Sequence, residues 1–132
     1  MGKTGLMRLA ATALAAFTIG ATAAYADDDM NDPYRAPALS ALAGKKIAYL
    51  PISIGFDLAQ AWGGVVKTEA ERYGMSFSSQ DPNWNTDAMA QGMTALIAEH
   101  PDVIVTQNPD MQSLARLLKQ ANAEGIVVVQ LN

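Results

Sequence analysis

Four short, mostly apolar runs are separated by three stretches of helical period, and no other feature limits the fold of this chain as strongly. The runs are "KIAYLPI" (46–52), "MSFSSQ" (75–80), "DVIVTQ" (102–107) and "IVVVQL" (126–131). Between the first two, Leu58, Ala59, Trp62, Val65, Val66, Ala70 and Tyr73 form one broad stripe, so the spacing predicts a helix over 57–73 with Trp62 in the core. Met89, Met93, Leu96 and Ile97 recur at the same period, with Asn85 or Thr86 placed to cap that helix and Pro101 to stop it. Leu114, Leu117, Leu118 and Ala121 mark a third helix, closed by Glu124 and Gly125. Strands that alternate with helices pair in parallel through right-handed crossovers. The expected fold class is therefore α/β: a doubly wound parallel sheet in three layers, with the common strand order 2-1-3-4. The unbroken apolar character of the third and fourth runs predicts strands covered on both faces.

Composition narrows the function classes. The chain has 132 residues, 50% of them hydrophobic, and no cysteine. Beyond its leader it is long enough for one domain, without a disulfide framework or a cysteine zinc site. A net charge of −4 and a pI near 4.7 argue against nucleic-acid binding, which calls for a basic patch. The one histidine, His100, excludes a multi-histidine metal site; it stands at a helix C-terminus, where it is read as solvated and facing the helix dipole. The methionines lie at helical spacing and read as core.

The N-terminus reads as a processing segment. Lys3 and Arg8 precede an uncharged Ala- and Leu-rich stretch (9–24) that closes on "AYA" and is followed by "DDD". This is the pattern of a secretory signal peptide, with cleavage expected after Ala26 and domain 1–26 removed. A membrane anchor is the competing reading, but the stretch is short and weakly hydrophobic for a spanning helix. Loss of Lys3 and Arg8 leaves seven basic residues against thirteen acidic, a net charge of −6. Residues 27–44 then read as a flexible acidic leader, in which "ALSALAG" (38–44) forms at most one helical turn capped by Gly44.

In an open α/β sheet, ligands bind beyond the carboxyl ends of the strands, where the strand order reverses. Here that crevice lies beside strands 1 and 3. The loop after strand 1, "PISIGFD", carries a single glycine, Gly55, and so matches neither the dinucleotide nor the triphosphate-binding pattern. It offers Ser53, Phe56 and Asp57 instead. Phe56 suits the apolar face of a sugar ring and Asp57 its hydroxyls, while packing over the first helical turn and N-capping account for them equally. After strand 3, Asn108 presents a donor and an acceptor suited to vicinal hydroxyls, and Asp110 is a natural N-cap. Trp84, in the turn "DPNWN", either borders the crevice or packs against the adjacent loop, the second being favoured. No nucleophile elbow, paired carboxylates or cofactor fingerprint emerges, so neither an enzyme nor a cofactor or metal is expected.

The residues from "KKIAYLPISIGFD" through "EAERYG", "ALIAEHPDVIVTQNPD" and "AEGIVVVQLN" resemble the N-terminal lobe of type 1 periplasmic binding proteins, the ribose-binding-like group. The resemblance spans 45–132, with an aromatic-bearing loop after strand 1 and an aspartate after strand 2 as landmarks. It implies a protein of two α/β lobes joined by a three-segment hinge, binding a sugar or similar small polar solute between them. Such proteins deliver the solute to an ABC importer permease in the inner membrane by hinge closure, act in the periplasm and are monomeric at full length. Carried over, the implied ligand-binding positions are Ser53, Phe56, Asp57, Asn108 and Asn132. Asn132 is an amide where the sugar binders usually have an aspartate, and Pro51 is a departure at the end of strand 1. A second lobe is not in the chain, so it is expected to be a fragment of weak solute affinity. The same lobe also serves sensory binding proteins that present ligand to a membrane receptor or histidine kinase. A repressor effector domain shares the fold, but the signal peptide occupies the place of its DNA-binding helices.

Overall fold

The computed structural model describes residues 33–107 and 112–131. The elements run α1 (Arg35–Leu42), β1 (Lys46–Leu50), α2 (Asp57–Arg72), β2 (Ser76–Ser79), α3 (Thr86–Glu99), β3 (Val103–Gln107), α4 (Ala115–Ala123) and β4 (Val127–Leu131). The strands form one four-stranded sheet in the order β2-β1-β3-β4, every neighbouring pair parallel. The register is Ile47 opposite Phe77 and Val103, with Val103 opposite Val127. β1 stops at Leu50 because Pro51 has no N–H to continue the ladder.

Local chemistry sets the boundaries. Asn85 caps α3, its Oδ1 accepting the Ala88 N–H at 2.8 Å. The α2–β2 and α4–β4 turns pass through Gly74 and Gly125 at φ +69° and +81°, where a side chain is disfavoured. His100 closes α3 in the same left-handed region, at φ +54°. It is exposed, as expected, and its Nε2 lies 3.8 Å from Glu124. The helix before β1 begins at Arg35, three residues ahead of the single turn expected at 38–44, and buries none of its side chains.

Alternation along each strand sends neighbouring side chains to opposite faces. Ala48, Leu50 and Ile104 face α3 and α4, where Met89, Met93, Leu96, Ile97, Leu117 and Ala121 complete the core. Each fully buried Leu, Ile or Met there contributes about 1.5–3 kcal/mol. Thr106, fully buried, donates its hydroxyl to the Leu50 carbonyl at 2.8 Å. On the other face Tyr49 lies under α2 and donates to the Ala59 carbonyl at 3.0 Å, and burial pushes its phenol pKa up.

That second face corrects two expectations. α2 packs chiefly on β2 and β1. β4 is therefore not covered on both sides: Val127 and Val129 are 56% and 42% exposed. The stripe of α2 is also broader than the surface it meets, so Leu58 and Val65 are exposed and Trp62 is half-buried, not core. A single helix can seat only the narrow part of a wide apolar stripe.

At the amino end of the sheet, Asp102 bridges two strands. Its carboxylate accepts from Lys45 Nζ and from the Lys46 N–H, both at 2.8 Å. The Lys45 ammonium, followed by the Lys46 amide, holds the Asp102 carboxyl below its ordinary pKa.

Candidate ligand-binding site

The opposite, carboxyl end of the sheet carries the loops 51–56 and 80–85. Ile52, just past β1, is held on both sides of its own backbone. Its N–H donates to Gln107 Oε1 at 3.2 Å, and its carbonyl accepts the Trp84 N–H at 2.9 Å. The end of β1 is thus tied at once to β3 and to the β2–α3 turn. Two residues on, the Ile54 N–H donates to Asp81 Oδ1 at 3.0 Å, which also accepts the Asn83 N–H at 2.9 Å. Ser53, 1% exposed, turns inward, and its Oγ accepts the Gly55 N–H at 3.0 Å. The Ile54 amide first, then the Asn83 amide, lower the Asp81 pKa against an opposing desolvation effect.

These ties position the aromatic residues. Phe56 holds the N-cap position of α2 in extended conformation, without a side-chain cap. Its ring meets that of Trp84, with centroids 5.2 Å apart and planes inclined at 35°. Trp84 is 62% exposed even so, and both Asn83 and Trp84 sit at positive φ, +49° and +61°. Left-handed backbone costs a non-glycine residue roughly 1–2 kcal/mol, and a bulky side chain is seldom found there. Asp57 is the first residue of α2, not its cap; it is exposed, and its side chain has no hydrogen-bond partner among the described residues. Beside it the free N–H groups of the α2 N-terminus provide a partial positive charge.

Of the residues singled out from the sequence, the structure brings Ser53, Phe56 and Asp57 together at this end of the sheet. Ser53 acts there as an internal brace of the loop. Asn108, Asp110 and Asn132 lie outside the described residues. One functional candidate was missed. Gln107 is 93% buried at the carboxyl end of β3, and its Nε2 donor is unpaired among the described residues. Its place as the last residue of a strand on the switch-point crevice was the available signal. Asp81, the landmark aspartate after strand 2, fastens two loops, a role that no local pattern announces.

Chemically, the site offers an aromatic pair, an exposed carboxylate, a buried amide donor and a helix N-terminus. Such a surface can hold a small molecule with hydroxyl groups and an apolar face.

Residues 29–132 match a family model described as a periplasmic binding protein domain. Among solved structures, the chain is similar to an ABC sugar transporter subunit from Rhodobacter sphaeroides, at 27% identity and a TM-score of 0.63, covering 67% of this chain and 32% of that one. An ABC transporter solute-binding protein from Clostridium phytofermentas with bound L-rhamnose shares the fold at 22% identity and a TM-score of 0.64, over 68% of this chain and 28% of that one. Another from Burkholderia graminis, in complex with D-arabinose, does so at 22% identity and a TM-score of 0.64, over 69% and 32%. No curated protein matches. The chain spans about a third of the length of these structures. With its parallel sheet, its strand order and a family match over most of its length, the chain belongs to the periplasmic binding protein domain family.

Proposed function

We propose that this chain forms the N-terminal lobe of a periplasmic solute-binding protein serving an ABC importer. Its ligand is a sugar or similar small polar solute, held at the carboxyl ends of β1 and β3 against a second lobe. The observation that carries this reading is the pinned loop 51–56 at the switch-point crevice, which presents Phe56 and Asp57 and is anchored to Gln107, whose Nε2 has no partner among the described residues. The likeness to an ABC sugar transporter subunit supports the importer role. In this reading residues 1–26 direct export and are removed after Ala26, residues 27–44 are a leader, and the lobe occupies 45–132. Asn108 and Asn132, after β3 and β4, complete the contacts on this side of the cleft, and the protein presents its ligand to the permease as a monomer.

Two measurements test the proposal. The exported product should have an N-terminus at Asp27 by intact mass. Saturation-transfer NMR, which detects weak binding by a half-cleft, should show contact with pentoses or hexoses. Absence of contact with every pentose, hexose and polyol tried would overturn the assignment.

A further inference from the structure

We propose that Trp84 is the second wall of the ligand platform, and that with Phe56 it selects a cyclic sugar over an open-chain polyol. The inference rests on the solute-binding reading above and goes beyond it by naming the ligand's shape and the residue that reads it.

Trp84 is the most exposed aromatic side chain of this end of the molecule, at 62%. A tryptophan in a structural role covers its large apolar surface, and this one leaves most of it to solvent although Phe56 is in reach on one side. The backbone holds it there against preference. Asn83 and Trp84 are consecutive non-glycine residues at positive φ, and three hydrogen bonds fix them: Asn83 N–H to Asp81, Trp84 N–H to Ile52, and Asn85 N–H to Pro82. Backbone strain kept by surrounding bonds while a bulky ring stands in water is the mark of a preorganised contact surface. The alternative role, shielding of the loop 51–56, is already filled by backbone and carboxylate bonds that need no indole.

The geometry also points to the shape of the partner. Backed by the Phe56 ring at a 35° tilt, the indole leaves a broad apolar face open to solvent. A pyranose or furanose presents several C–H bonds on one rigid face, which covers such a surface without conformational loss. An acyclic polyol must freeze its chain to do the same, and that ordering weakens binding. At the rim the exposed Asp57 carboxylate serves the hydroxyls of either.

The test follows the two indole N–H signals of the nitrogen-15-labelled chain by NMR, with Trp62→Phe assigning them, during titration with L-rhamnose, D-arabinose and allitol. The Trp84 signal should move saturably with both cyclic sugars while that of Trp62 stays in place. Trp84→Ala should weaken binding of the cyclic sugars roughly tenfold, in line with aromatic stacking energies, and that of allitol by less than about twofold. Trp84→Phe should recover most of the loss. An unmoved Trp84 signal, an equal loss for allitol, or cyclic-sugar affinity unchanged in Trp84→Ala overturns the inference. If Gln107→Leu weakens the sugars in that case, the solute-binding reading stands and only the role of Trp84 falls. If no signal of loops 51–56 or 80–85 responds to any of the three, both fall together.

Discussion

The ring of Tyr49 occupies the space where a side chain on Gly63 would begin: a Cβ built there would lie 2.8 Å from Cε1 and 3.0 Å from Cδ1. β1 and α2 therefore approach as closely as they do because position 63 has no side chain. This contact, together with the bond from the Tyr49 hydroxyl to Ala59, seats the N-terminal half of α2, which carries Asp57 at the site. Gly63→Ala is expected to destabilise the fold by about 1–3 kcal/mol, the cost of overpacking. The neighbouring Gly64 meets nothing within 4 Å, so Gly64→Ala should be neutral or stabilise by up to about 1 kcal/mol through helix propensity. Urea midpoints of the two variants measure the contrast, and equal effects would refute the tight-contact account.

Thr106 is a polar residue in an apolar layer, and its hydroxyl joins β3 to the last carbonyl of β1. Thr106→Val keeps the shape and removes the donor. We expect a loss of about 1 kcal/mol in urea unfolding. A variant as stable as the parent would mean that the hydroxyl contributes packing alone.

His100 ends α3 at φ +54°, where glycine is at ease and histidine is not. Its contact with Glu124, long and exposed at 3.8 Å, adds little. His100→Gly should raise stability by about 0.5–1 kcal/mol, and His100→Ala should not. Thermal unfolding of the pair decides between them.

Acid should loosen both ends of the sheet. Asp81 and Asp102 have native pKa values below the ordinary 3.8, so the folded chain binds fewer protons than the unfolded one in that interval. Their contribution is fully present above about pH 4 and is lost as pH falls through the lowered native values. The urea midpoint should therefore fall on acidification below about pH 4. Asp102→Asn leaves an oxygen facing the Lys46 N–H but removes one titrating group, and should give a shallower fall. An identical acid limb in that variant would remove Asp102 from the account.

The class and order of the fold were legible because they depend on local signals: apolar runs, helical period, the Asn85 cap and the glycines of the turns all act within a few residues. The strand order followed from the crossover rules that those elements obey. What a periodic stripe packs against is a tertiary matter, so the exposed Leu58, Val65, Val127 and Val129 were not legible. The site divided in the same way. Phe56 and Asp57 stand out because they interrupt a loop of small and apolar residues. The ties from Asp81 to Ile54 and from Gln107 to Ile52 join positions 27 and 55 residues apart and leave no pattern in either segment. The turn "DPNWN" makes Trp84 an exposed-looking aromatic, and it is exposed while its ring meets Phe56; its left-handed backbone has no signature in composition.

The uneven clothing of the sheet has a consequence for how the molecule behaves in company. β4 is an edge strand among the described residues, with one partner strand and two bare valines on its α2-side face. Such an edge is a template for a like strand from another copy. The soluble lifetime of the chain should then depend on its concentration, with light scattering rising on concentrating and falling on dilution. A lysine in place of Val129 should suppress that rise without disturbing the core, because the side it faces is already in water.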